Sequence, residues 1–381
     1  MTTTTTPVFA TGLEGVIACA TRLSDVDGIN GKLVFAGFNA VDLAEQKTIE
    51  EVWFLLHNGH LPDAGELAAF KAKVELLGRP STKEIRLMKS LRAGEPLSAF
   101  RSILSAIASN RGYKPWLNRD VAEVEHELLS LSALAPAIVE VIHTGRTPVK
   151  KPANSGYAER YLWGVLGHKP DDAARQAVET YLILTMDHGL NASTFAGRVC
   201  ASTGADVGAA ITAAVGTLSG PLHGGAPGPV LDMLDAIGTP EAAKGWVAAQ
   251  LAGKRRIMGF GHRVYRTEDP RARTLRKVSE RQNGPRIALA LAVEKEVLAA
   301  LDAHQQKKAG EGKSIRALRV NVEFWTAVAL EHAGIPRQLY SSTFCTSRII
   351  GWSEHIREQL KDNKLFRPLS HYSGPSVSDL S

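Results

Sequence analysis

The chain has 381 residues, 44% of them apolar and 22% charged, and a formal net charge of +6. That composition excludes a disordered or collagen-like chain, and the length exceeds what one small core uses, so two domains, or a large one with a smaller one embedded, are expected. The basic balance (pI near 9.2) raises nucleic acid as a partner, but no RNP, zinc-finger or long basic-helix signature accompanies it, which argues against one.

In chain order, "MTTTTTPVFATG" lacks a basic n-region and a long apolar stretch, so it reads as a frayed tail and not as a targeting segment. "GKLVFAGF" (31–38), after the turn "VDGING", reads as a short hairpin. Helical spacing then dominates. Residues 120–145 carry apolar residues at i, i+3, i+4 and stop at Gly145; residues 171–189 start on Asp171 and Asp172 and stop at Gly189. "ADVGAAITAAVGTL" (205–218) is rich in small residues that let helices approach closely, within the chain or between subunits. Residues 283–306, 321–333 and 342–363 are helical, and "QKKAGEGKS" (306–314) is a loop bordering a mobile part. No apolar run reaches the ~18 residues of a membrane span, so no membrane is expected. Cys19, Cys200 and Cys345 are scattered with no CxxC, which suggests a reducing cytoplasm and no structural metal.

Most histidines have plain explanations: His57 lies near a helix end, where its charge suits the dipole, and His126, His304 and His332 sit in helical runs. Two differ. "SGPLHGGAPGP" sets His223 among four glycines and three prolines, and "MGFGHRVYRTEDPRA" sets His262 directly after Gly261. A histidine on a glycine-rich turn is held by stiff backbone that a ligand can approach closely. "GFGHRV" has Val264 where a dinucleotide fingerprint needs glycine. There is no P-loop, HExxH or GxSxG, and His57 with His60 lacks a third metal ligand. The basic run "GKRRIMGFGHRVYR" (253–266) contains no acid, so it is either a solvated face or an anion site.

Glu323 stands alone in the apolar run "RVNVEFWT" (319–326). It points to solvent, pairs with a buried arginine, or is a base strengthened by desolvation. Two loop histidines, several arginines and one such carboxylate suit proton abstraction beside a carbonyl, followed by attack on a second carbonyl.

The blocks "GLEGVIACATRLSDVDGINGKLVFAGF" (12–38), "DHGLNASTFAGRV" (187–199), "GPLHGGAPGPVLDML" (220–234), "MGFGHRVYRTEDPRA" (258–272), "NVEFW" (321–325) and "RIIGWSEHIREQ" through "FRPLSHYSGP" (348–375) resemble the citrate synthase family, in family order. Residues 80–180 carry little of this signal. The resemblance implies an all-α fold of two helical domains, a large one of 1–219 plus 331–381 and a small one of 220–330 closing over a cleft. It implies condensation of acetyl-CoA with oxaloacetate and water, giving citrate and coenzyme A, with the thioester as cosubstrate and no permanent cofactor or metal. His223 then resembles the histidine on the thioester oxygen, His262 the one polarising the ketone, and Glu323 the base. His188, Arg271, Arg348 and Arg367 resemble the oxaloacetate ligands, Arg367 reaching into the neighbouring subunit of a homodimer. Arg256, Arg263 and Arg266 lie where the family binds coenzyme A phosphates.

The family's usual residue at position 323 is aspartate. One extra methylene moves the carboxylate by up to ~1.5 Å, and a displacement of ~1 Å can cost about 100-fold in rate. A bacterial subgroup with "NVEFW" or "NVEFY" resembles this chain, and there Glu323 is expected to work as the base. Two rivals remain: a 2-methylcitrate synthase using propionyl-CoA, which one methylene in an apolar pocket separates by only ~1–3 kcal/mol, and a silent family member acting as a binding protein.

Overall fold

The computed structural model describes residues 10–224, 227–261, 264–310 and 318–375. Its strands are β1 (Ser24–Asp27), β2 (Lys32–Phe35) and β3 (Phe38–Asn39), one antiparallel sheet near the N-terminus with Ser24 paired to Phe35. The expected hairpin is therefore present, extended by a third short strand. Apart from one isolated bridge, the remaining regular structure among the described residues is helical, in keeping with the all-α expectation: α1 (Ala40–Gln46), α2 (Ile49–Asn58), α3 (Ala64–Leu77), α4 (Thr82–Leu91), α5 (Pro96–Asn110), α6 (Val121–Thr144), α7 (Tyr157–Leu166), α8 (Asp172–Thr185), α9 (Ala192–Ser202), α10 (Val207–Leu218), α11 (Pro227–Ile237), α12 (Ala243–Ala252), α13 (Pro270–Glu280), α14 (Pro285–Gly310), α15 (Val322–His332) and α16 (Tyr340–Lys361), with three single-turn 3₁₀ segments.

Local chemistry sets the helix ends. Thr48 with Glu51, Asp63 with Glu66, and Ser81 with Glu84 form reciprocal capping boxes, each satisfying two backbone N–H groups that a helix start leaves orphaned. Asp120 caps α6 and Gly145 ends it, as the sequence indicates. α8 starts on Asp171 as expected but ends four residues before Gly189. The reason is tertiary. Asp187 is held by Ser24 and His355, and Gly351 of α16 lies against the Met186 carbonyl where a Cβ would not fit.

The buried frame is built around α6, which packs against α3, α5, α7 and α16. α6 is long and apolar enough overall to cross a membrane, although charged residues break its apolar run, as the sequence indicates. In this chain 89% of its apolar window is buried by neighbouring helices, which makes it the core helix of the frame. The small residues of α10 do form a tight pair, with α9 of the same chain: a Cβ on Gly197 would meet that of Ala214 at 3.4 Å. α11 packs on α15, α13 on α15 and α12 on α14, and this group meets the frame where α13 and α15 touch α8. α14 runs to Gly310, so the first part of the expected loop 306–314 is helix; the rest lies outside the described residues.

Candidate functional site

The "DHG" segment follows α8 and is the most heavily tied part of the site. Asp187 is fully buried and accepts from Ser24 Oγ, from His355 Nε2 at 3.2 Å and from the Gly189 amide at 3.3 Å. Burial pushes its pKa up, but His355, Arg348 and Ser24 together outweigh this and hold it below the ordinary aspartate range. Arg198 Nη1 lies 3.2 Å from His355 Nδ1. An arginine can only donate, so Nδ1 accepts and His355 Nε2–H faces Asp187. His188, next in the chain, lies 3.2 Å from the Tyr265 hydroxyl, edge-on to that ring.

Two buried arginines stand on either side. Arg271, in the first turn of α13, is gripped by Asp269 through Nε–Oδ1 at 3.0 Å and Nη2–Oδ2 at 2.8 Å. Asp269 also caps α13 by accepting from the Arg271 amide at 3.0 Å. One carboxylate thus fixes both the helix start and the fork. The Arg271 guanidinium lies 5.9 Å from the Tyr265 ring, so Tyr265 stands between His188 and Arg271. Arg348, in the middle of α16, is 1% exposed; its Nε donates to the Thr185 carbonyl at 2.7 Å and its head stacks 4.7 Å above Phe344. Its Nη1 is buried without a hydrogen bond. Burial brings the Arg348 pKa down to about 10, with Asp187 opposing the fall and the nearby positive charge of Arg271 adding to it.

His223 sits half-buried in the turn after α10. Its amide donates to Gly220 O at 2.9 Å, and a Cβ on the next residue, Gly224, would strike the Leu218 carbonyl. Burial, and secondarily the charge of Arg348, lowers its pKa to about 4, so it is neutral at neutral pH. Its Nε2 lies 2.8 Å from Ser193 Oγ, which also contacts Asn191 Oδ1 at 2.7 Å and receives Trp352 Nε1–H at 3.1 Å. Ser193 has one proton for two acceptors. Given to Asn191, it leaves His223 protonated on Nε2; given to His223, it puts the ring proton on Nδ1, where it can serve a ligand.

Glu323 lies in the first turn of α15. Its Oε2 is cut off from solvent and has no hydrogen-bond partner. Burial raises its pKa; Arg271 and its own amide pull it down without cancelling the rise. The helix start is tied to the glycine turn before it. Phe260 bridges Val320, the Gly261 amide donates to Arg319 O at 2.8 Å and the Asn321 amide to Gly259 O at 2.9 Å. Gly259, at φ +82°, has Phe324 where any Cβ would be, 2.8 Å away, so only glycine fits. Asn321 precedes the helix without capping it, and its Nδ2 donates to Gly261 O at 3.0 Å instead.

His188, His223, Arg271, Arg348 and Glu323 are therefore brought to one place, close enough for the charge of Arg348 to reach His223 and that of Arg271 to reach Glu323. Arg256 is exposed, yet its charge also reaches Glu323. Arg266 is exposed, and its amide donates to Gly28 O at 2.7 Å. Arg367 is not in the cluster: it is exposed on the segment after α16 and bonds the Pro368 carbonyl at 3.1 Å. His262 and Arg263 lie outside the described residues. Asp187, Ser193, Tyr265 and Asp269 received no role from the sequence, although each falls inside a quoted block; their pattern shows no spacing that reveals a partner distant in the chain. No three His, Cys, Asp or Glu among the described residues gather as a metal ion requires.

The chain is similar to known proteins in both sequence and structure. The sequence profile described as citrate synthase, C-terminal domain, matches residues 12–369. The citrate synthase of Synechocystis sp. is 35% identical over 374 residues, 96% of this chain and 91% of that protein. The 2-methylcitrate synthase of Mycobacterium tuberculosis is 35% identical over 372 residues, 97% of this chain and 91% of that one. Among solved structures, the Thermoplasma acidophilum citrate synthase in ternary complex with carboxymethyl coenzyme A and oxaloacetate superimposes with a TM-score of 0.85, at 29% identity and covering 99% of both chains.

Proposed function

We propose that this chain, which belongs to the citrate synthase family of condensing acyltransferases, joins acetyl-CoA to oxaloacetate with the consumption of water, giving citrate and free coenzyme A. The observation that carries the reading is the pairing of a neutral His223 with an unpartnered Glu323 carboxylate oxygen around two buried arginines. Arg271, Arg348 and His188 bind the dicarboxylate of oxaloacetate. Glu323 takes a proton from the acetyl methyl group, and the electron pair moves onto the thioester oxygen, where His223 Nδ1–H donates to it with its proton arrangement set by Ser193. The enolate carbon attacks the ketone, whose C=O π electrons move onto the oxygen that His262 polarises and that takes up a proton; the C–C bond so formed gives a thioester, which water cleaves to acid and thiol.

Glu323 is the working base although the family's usual residue is aspartate. The burial of Glu323 and the absence of a hydrogen bond to its Oε2 support this, because both make the carboxylate more basic. Arg256 and Arg266, exposed and basic, suit coenzyme A phosphates, as does Arg263 by sequence. In this reading residues 220–330 form a small domain that closes over the cleft and excludes water. The exposure of Arg367, away from the cluster of its own chain, supports a homodimer in which it serves the partner's site. Three free cysteines fit a cytoplasmic location.

The acyl donor is tested by thiol release from acetyl-CoA and from propionyl-CoA, each with and without oxaloacetate. Release that requires oxaloacetate and favours acetyl-CoA in kcat/KM is expected. A preference for propionyl-CoA replaces this reading with 2-methylcitrate synthesis, which the mycobacterial relative favours. No release with either donor moves a silent binding protein to the front.

A further inference from the structure

The β1–β2 hairpin touches both halves of the site, although it lies more than 150 residues before either in sequence. On one side, Ser24 Oγ donates to Asp187 and accepts from the Gly189 amide at 3.0 Å, and Val26 Cγ2 stands 3.4 Å from where a Gly189 Cβ would be. On the other, the hairpin turn meets the segment that follows the glycine turn. The Arg266 amide donates to Gly28 O at 2.7 Å. A Cβ on Gly28 would fall 2.5 Å from the Val264 carbonyl oxygen and 2.9 Å from its carbon, both backbone atoms that cannot swing aside. A Cβ on Gly31 would fall 2.6 Å from Thr267 Oγ1. Asp27 makes the turn stiff by accepting from the Ile29 and Asn30 amides at 3.0 and 2.9 Å.

We infer that this hairpin is a positioning strut for the site. Its first strand holds the segment bearing His188, its turn holds residues 264–267, and Gly28 is the positioning residue that sets the distance between them. The strut gives the three-stranded sheet a role in a helical protein: a twisted hairpin is a short, stiff spacer that contacts both loops. This rests on the functional reading above, because His188 and the 264–267 segment matter to the reaction only if the cluster around them is the catalytic site.

The test compares Gly28→Ala with Gly37→Ala. Gly37 lies between β2 and β3 at φ +92° with no atom within 4 Å of an added Cβ, so alanine there strains the same sheet without touching residues 264–267. Gly28→Ala is expected to lower kcat at saturating acetyl-CoA and oxaloacetate by about tenfold or more, since a 1 Å misplacement costs ~100-fold. It should also speed hydrogen exchange in a peptide covering 264–268, with a melting temperature no lower than that of Gly37→Ala. Gly37→Ala should keep the wild-type kcat. Equal losses in both variants, or wild-type kcat and exchange in Gly28→Ala, overturn the inference. If Gly28→Ala does not fold, Asp27→Ala, which loosens the turn without adding bulk, carries the test: faster exchange at 264–268 with a lower kcat supports the strut, and wild-type values overturn it. A wild-type enzyme that releases no thiol defeats the functional reading by itself, whereas the exchange measurement still reports on the strut.

Discussion

Asp187 is fully buried near Arg348, and half-buried Glu323 has its Oε2 withdrawn from water near Arg271; their surroundings treat the two carboxylates oppositely. Asp187 meets a serine hydroxyl, a histidine ring and a backbone amide, and His355, Arg348 and Ser24 together overturn the effect of burial so that it stays ionised. Glu323 has the charges of Arg271 and Arg256 in range but no side chain bonded to Oε2, and burial prevails. Nearby positive charge therefore does not decide the matter by itself; at Asp187 charge and direct hydrogen bonds act together. Two carboxylates whose pKa values are pushed apart are also a sign of divided labour, the ionised one structural and the other reactive.

The largest expected effect lies on the reactive side. Glu323→Gln should lower oxaloacetate-dependent thiol release by about 10²–10⁴-fold, the usual worth of a positioned base. The same change should make the protein more stable. A carboxyl whose folded pKa is raised costs stability wherever it is ionised, so at pH 7 its removal is a gain. The melting temperature should rise by about 1–3 °C, read by scanning calorimetry. A variant with both lower activity and lower stability would mean that Glu323 is a structural partner like Asp187.

On the structural side, Asp187→Asn should reverse that stability effect. Breaking a buried, hydrogen-bonded charge network costs about 3–5 kcal/mol, measurable as a lower urea midpoint, and the KM for oxaloacetate should rise as Arg348 loses its counter-charge. Because the folded pKa of Asp187 is depressed, its contribution is present above the ordinary aspartate pKa of ~3.9 and is lost as pH falls below it. The gap to wild type should therefore hold steady from pH 8 to about 5. A gap that closes near neutrality would show that Asp187 is not the group being measured.

The smallest effect sharpens the assignment of the base. Activity requires Glu323 ionised, and its pKa is raised above 4.5, so the acidic limb of kcat/KM should fall above that value. His223, with a pKa of about 4, is neutral throughout that range. A limb at or below pH 4 would transfer the titration to His223.

Much of this architecture is legible in the order of the residues. Capping residues and apolar spacing marked the long helices 121–144 and 340–361 nearly to their ends, because those signals act within a few residues. Glycine-rich turns marked His223 for the same reason. Tertiary structure alone decided that α8 stops before Gly189, that Asp269 grips Arg271, that Ser193 faces His223, and that a hairpin near the N-terminus meets residues 264–267. Each of these depends on a partner distant in the chain, or, for Asp269, on the fork geometry of a folded helix start. Glu323 shows the division most clearly. Its apolar neighbours in sequence announced an unusual carboxylate, but only packing fixed the direction of its pKa, because that direction depends on which donors failed to reach it.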